Sequence, residues 1–148
     1  NFFSVGENLR VTDLPGYGYA RVPDAVRQHW GKLMDSYFLR RQSLAGLFIV
    51  MDIRHPLTDF DQGMLNWARE GGCPAHILLT KADKLSRGAA ASALLGVRKA
   101  VGDAATVQLF SALKGTGVDA AREVLDDMLG MERRARAEAQ RGGDAAGL

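Results

Sequence analysis

Leu47-Phe48-Ile49-Val50-Met51-Asp52 is an unbroken apolar run that ends on a carboxylate. A strand with one wet face alternates polar and apolar residues, whereas continuous apolarity suits a parallel strand covered on both faces. The pattern recurs downstream. Residues 75–80 (Ala-His-Ile-Leu-Leu-Thr) read as a second short buried strand and 106–110 as the last. Between them, Thr58 with Asp61 three residues on predicts a capping pair for a helix of about 59–70, closed by Gly71-Gly72. An Ala-rich helix follows from about 87 to 101, stopped by Gly102. A final helix is expected from 116 to about 139, and the Gly/Ala-rich stretch 141–148 reads as a disordered tail.

Upstream, residues 2–5 and 9–13 are two β-type runs around Gly6-Glu7-Asn8, a hairpin signal. Residues 14–22 read as a loop. Pro23-Asp24 opens an amphipathic helix to about Arg41, with Val26, Trp30, Leu33, Met34, Tyr37 and Phe38 on one stripe. Strands alternating with helices predict one α/β domain over 1–140 with a mostly parallel sheet.

Composition sets the outer limits. A hydrophobic share of 47% and a charged share of 24% over 148 residues are those of a globular protein with a sizeable core. No apolar run approaches the roughly 20 residues of a membrane span, so no membrane partner is expected. No signal peptide is visible. The single cysteine, Cys73, fits a reducing compartment, with the cytoplasm as the default. With 19 basic against 17 acidic residues, a net charge of +2 does not mark a nucleic-acid surface.

In parallel sheets ligands sit at the carboxyl ends of the strands. The polar residues with chemistry cluster there: Asp13 and Gly16 after one strand, Asp52 after the next, then Thr80-Lys81-Ala82-Asp83 and Ser111-Ala112-Leu113-Lys114. An aspartate at a strand end can hold Mg²⁺ through water, because Mg²⁺ sheds its hydration shell reluctantly. Gly16, in Asp13-Leu14-Pro15-Gly16, could bring a bare N–H to a terminal phosphate where a Cβ would crowd the approach. Asp83 discriminates between bases. An ionised carboxylate only accepts, and guanine offers it a ring N–H beside an exocyclic amine, a pair that adenine lacks. Such a site can reject the wrong base by about 10⁴-fold. The Lys81 stem can lie along the base, Ser111-Ala112 can offer an N–H to the guanine carbonyl, and Lys114 stands beside it.

These three motifs resemble the third, fourth and fifth sequence motifs of the translation-factor-like GTPases. Asp13-Leu14-Pro15-Gly16-Tyr17-Gly18-Tyr19-Ala20 and Asp52-Ile53-Arg54-His55-Pro56-Leu57 further resemble the bacterial ribosome-biogenesis GTPases called EngB, also YsxC or YihA, over nearly the whole chain to about residue 130. The resemblance implies a P-loop NTPase fold of the Ras-like GTPase kind, with helices on both faces of the sheet. It also implies GTP binding and hydrolysis, Mg²⁺, a cytoplasmic monomer in full-length form, and a role in assembling the large ribosomal subunit, with rRNA and ribosomal proteins as partners. Family members are linked to normal division septation. The GTP-binding residues carried over are Asp13, Leu14, Pro15, Gly16, Thr80, Lys81, Ala82, Asp83, Phe110, Ser111 and Ala112, with Asp13 toward Mg²⁺ through water. The loop from Tyr17 to Val22 would order with GTP and release after hydrolysis to GDP.

The chain departs from this pattern in two ways. The phosphate loop G-x-x-x-x-G-K-[ST] and the threonine of the first switch are absent, since the chain begins at Asn1, after both. The first strand and first helix of the family fold are then missing as well. That strand belongs between those ending at Asp13 and Asp52, and its loss opens a gap of about 10 Å. On the order of ten hydrogen bonds at about 1 kcal/mol each rival a domain's stability of roughly 5–15 kcal/mol. The expectation is that 1–148 alone is not a stable GTP-binding monomer and is inactive as an enzyme; micromolar GTP affinity would overturn it. Second, Tyr17 stands where many GTPases carry a water-orienting Gln. No catalytic residue is therefore assigned, and K⁺ or a partner is implied to assist slow hydrolysis.

The other candidates carry less. His29, His55 and His76 lack metal-ligand spacing; His76 is expected as hydrogen-bonded core. Arg54-His55-Pro56 is either a latch between strand and helix or a ribosome contact. Cys73 has no base nearby in sequence. Trp30 and Trp67 read as core, and Arg133, Arg134 and Arg136 as a solvated helix face. Three competing functions remain: a sister GTPase acting on tRNA or small-subunit RNA, a non-catalytic ribosome-binding or RNA-binding remnant, and a metal-dependent phosphatase. Residues 52–57 argue against the first, and the third leaves 80–83 and 111–114 unexplained. A G-x-x-x-x-G-K-[ST] within about 60 residues upstream would decide against the second.

Overall fold

The structure is a computed structural model that describes residues 2–4, 9–13, 28, 32, 36 and 44–146. The chain divides into two compact units, Asn1–Gln42 and Ser43–Leu148.

In the first unit, β1 (Phe2–Ser4) pairs antiparallel with β2 (Arg10–Thr12), Phe2 opposite Thr12 and Ser4 opposite Arg10. This is the expected hairpin; its turn lies outside the described residues. Of the helix expected from Pro23 to Arg41, Gln28, Lys32 and Ser36 are helical. Its apolar stripe, His29 and the loop 14–22 lie outside the described residues.

The second unit is an α/β arrangement, a three-stranded parallel sheet flanked by helices. Its strands β3 (Leu47–Asp52), β4 (Ala75–Thr80) and β5 (Thr106–Leu109) stand in that order. The register sets Ile49, Ile77 and Val107 side by side, and Val50, Leu78 and Gln108 one step along. Helices α1 (Asp59–Glu70) and α2 (Arg87–Val101) make the crossovers. A right-handed sense places both on the same face.

Local chemistry explains the boundaries. Thr58 and Asp61 form a complete capping box at the start of α1: the Asp61 N–H donates to Thr58 Oγ1 and the Thr58 N–H to Asp61 Oδ2. The Ser86 hydroxyl accepts from the Ala89 N–H at the start of α2. Gly102, at φ +53, ends that helix in a conformation most side chains avoid. On the outer side of β5, Arg98 of α2 donates to the Val107 carbonyl.

The two faces of the sheet differ. Ile49, Met51, Ile77, Leu79 and Val107 make one face dry, with Met64, Leu65, Ala68, Ala90, Val97 and Val101 of the helices also buried. On the other face Val50 is 57% exposed and Phe48 half-buried. The continuous apolar run of β3 is thus covered on one face and partly open on the second, contrary to the expectation of cover on both.

Helix α3 runs from Val118 to Ala146, so the tail expected at 141–148 is helical as far as Ala146. Ala, Glu, Gln and Arg in 135–141 carry it past Gly142 and Gly143, at a propensity cost of about 1 kcal/mol per glycine. Met128 of α3 is buried at Gly46, where a Cβ would meet its sulfur. No helix among the described residues is long and apolar enough to cross a membrane.

Candidate functional site

At the carboxyl ends of β3, β4 and β5 the backbone ties three segments together. The Ile53 N–H donates to the Thr80 carbonyl, the Ala82 N–H to the Phe110 carbonyl, and the Phe110 N–H to the Leu79 carbonyl. Residues 80–83 and 110–111 are therefore fixed against each other by main chain before any side chain contributes. Lys81 sits in the left-handed region at φ 58, ψ 32, turning the strand into a 3-10 turn over Ala82–Lys84. A non-glycine residue held there costs on the order of 1 kcal/mol and marks a site where the surroundings impose the backbone.

The Ser111 side chain is wholly buried and works in two directions. Its hydroxyl donates to Asp83 Oδ1 at 2.7 Å and accepts the Lys114 N–H at 3.1 Å. This hydrogen bond is the main reason that the Asp83 carboxyl titrates below the usual range. Asp83 also accepts from its own backbone, and the remaining lone pairs of its two oxygens stay open. The Ser111 N–H donates to the Thr116 carbonyl at 2.9 Å. Of the two amides expected to offer a donor, that of Ser111 is thus occupied, and among the described residues the Ala112 N–H has no such partner. Gly117 closes this loop at φ +77, where a Cβ would run into the Leu109 carbonyl oxygen.

Asp52 is arranged differently. Arg54 folds back on it, its N–H and Nε donating to Oδ1 at 2.9 and 3.0 Å and its Nη2 to Oδ2 at 2.8 Å. Lys81 Nζ lies 3.4 Å from Oδ2. The Arg54 guanidinium, above all, holds the Asp52 carboxyl far below the usual carboxylate range. Four donors on two oxygens leave no room for a metal or substrate on Asp52. Arg54 therefore clamps the end of its own strand, while His55 is exposed.

A second polar network lies on the open face of the sheet. Buried His76 sets Nδ1 2.6 Å from Thr106 Oγ1 and Nε2 2.8 Å from Gln108 Oε1. Gln108 Nε2 donates to the Leu109 and Gly117 carbonyls. Its Oε1 is consequently an acceptor, so His76 Nε2 carries the hydrogen. His76 is hydrogen-bonded core, as expected, but its chain of partners leads to the loop that carries Ser111. Nothing in the spacing of Thr106 or Gln108 signals this, because the contacts cross strands.

The structure thus brings together Asp52, Lys81, Asp83, Phe110, Ser111 and Lys114, with Thr80 and Ala82 in the supporting backbone. Asp13 is exposed at the end of β2 in the other unit. Leu14, Pro15, Gly16 and Tyr17 lie outside the described residues. Among those described, no three His, Cys, Asp or Glu side chains gather. Cys73 is half-buried, and burial pushes its thiol up, away from reactivity. Trp67 is half-buried, and the side chains of Arg133, Arg134 and Arg136 lie outside the described residues. No protein-family model matches the chain.

Proposed function

We propose that the ends of β4 and β5 read the guanine base of GTP or GDP, and that the protein is a GTPase of P-loop fold acting in assembly of the large ribosomal subunit, as the EngB-like motifs suggest. The observation that carries this reading is Asp83: a carboxylate at a strand end, kept ionised by the Ser111 hydroxyl, with acceptor capacity left over. Guanine's ring N–H and amine would donate to it as a pair, and the Ala112 N–H would meet the guanine carbonyl. The stem of Lys81 would lie along the ring. Adenine, with no adjacent donor pair, leaves the carboxylate unsatisfied, and specificity follows from that penalty.

The test is an amide NMR titration of the chain with GDP and with ADP. A millimolar dissociation constant corresponds to about 4 kcal/mol, weak binding that an amide titration still reads. GDP should shift the amides of Lys81, Ala82, Asp83, Ser111, Ala112 and Lys114, and ADP should not. Equal response to both nucleotides, or GDP shifts that avoid these residues, would overturn the reading.

A further inference from the structure

We infer that Asp52 is a positioning residue for Lys81, holding the lysine stem across the base site; this rests on the guanine reading above. Register sets Asp52 directly opposite Thr80, the residue before Lys81, and the Ile53 N–H bond to the Thr80 carbonyl locks the two strand ends together. Lys81 is then restrained at both ends. Its backbone is held in the left-handed region, and its Nζ lies 3.4 Å from Asp52 Oδ2. Arg54 completes the device. By donating three hydrogen bonds to Asp52 it stops the carboxylate from rotating away and leaves Oδ2 facing the lysine.

A free lysine stem must surrender rotamer freedom when a flat ligand lies against it, whereas one tied at its tip has already done so. Asp52 therefore acts on affinity through Lys81 and does not choose the base. The side chains of Arg54 and Lys81 are 42% and 39% exposed, so the effect is that of a partly solvated ion pair.

The experiment is a double-substitution cycle read by GDP and ADP titration, together with the ¹⁵Nζ signal of Lys81. Asp52→Asn keeps the shape and removes the charge. It should raise the GDP dissociation constant about two- to five-fold, keep GDP preferred over ADP, and shift and broaden the Lys81 Nζ signal. In a Lys81→Met background, which keeps a stem without an ammonium, Asp52→Asn should have no further effect. The same loss in both backgrounds would show Asp52 acting by general structure and overturn the proposal, as would an unchanged Nζ signal. If the unsubstituted chain prefers GDP and Asp52→Asn changes nothing, only this proposal falls. If that chain binds GDP and ADP alike, the guanine reading falls and takes this one with it.

Discussion

Asp52 and Asp83 stand at the ends of adjacent parallel strands, both ionised, both within reach of a lysine, yet their situations are opposite. Asp52 receives three hydrogen bonds from Arg54 and faces Lys81 Nζ as well, while Asp83 receives its one side-chain hydrogen bond from the Ser111 hydroxyl, beside that of its own backbone. Position at a strand end makes a carboxylate available to a ligand only if its lone pairs are not already taken. The neighbour that fills Asp52 is two residues away on the same chain. The neighbour that orients Asp83 comes from another strand and leaves most of its acceptor capacity open. One aspartate is framework, and the other keeps acceptor capacity for the base reading proposed above.

The sharpest way to break this contrast is Asp83→Asn. Replacing an acceptor with a donor should weaken GDP binding about 100-fold and move preference toward the xanthine nucleotide, whose extra carbonyl accepts. Nucleotide titrations in which the GDP and XDP affinities stay unchanged would remove Asp83 as the base reader. Next comes Ser111→Ala, which strips the hydroxyl from a buried position and leaves both Asp83 Oδ1 and the Lys114 N–H without it. GDP affinity should fall about tenfold, and a ¹³C titration should find the Asp83 carboxyl moved up toward the ordinary range.

On the Asp52 side the effects shrink. Arg54→Ala should cost at most about 1 kcal/mol in denaturant unfolding, as partly solvated ion pairs do, with the preference for GDP over ADP intact. A lost preference would mean that the β3 end takes part in base reading. Smallest is the response to acid. The folded state holds Asp52 below its ordinary value of 3.8, so its contribution is complete above that pH and is lost as pH falls through the lowered folded value. A ¹³C titration from pH 7 downward should find Asp52 still ionised at pH 3, where an unpaired aspartate is mostly protonated.

Much of the second unit was legible beforehand because its signals are local. Apolar runs marked β3, β4 and β5, and the Thr58–Asp61 box and Gly102 marked helix ends within a residue or two. Asp83 and Ser111 were each legible through their motifs, but the hydroxyl bond that joins them was not. The Arg54–Asp52 clamp was not, because an arginine two residues on can as well point to solvent or to a partner. The capture of the Ser111 N–H by Thr116 depends on a loop closing back on itself, which Gly117 permits and spacing does not announce. The partial exposure of Val50 escaped notice because apolarity reports what a strand tolerates and not what covers it. The Gly142-Gly143 pair suggested a helix end, and the surrounding helix formers outweighed it.

The His76 network has a polarity. Because the Gln108 amide nitrogen serves two carbonyls, its oxygen accepts, so His76 Nε2–H points at Gln108 and Gln108 points at Gly117. Two dipoles run head to tail from β4, through β5, to the loop that carries Ser111. Head-to-tail bonds polarise one another, and turning the Gln108 amide over would take a donor from the Leu109 carbonyl and leave Gly117 with the Ala121 N–H alone. The sheet therefore carries a built-in one-way electrical bias, ending on the loop from which Ser111 reaches Asp83.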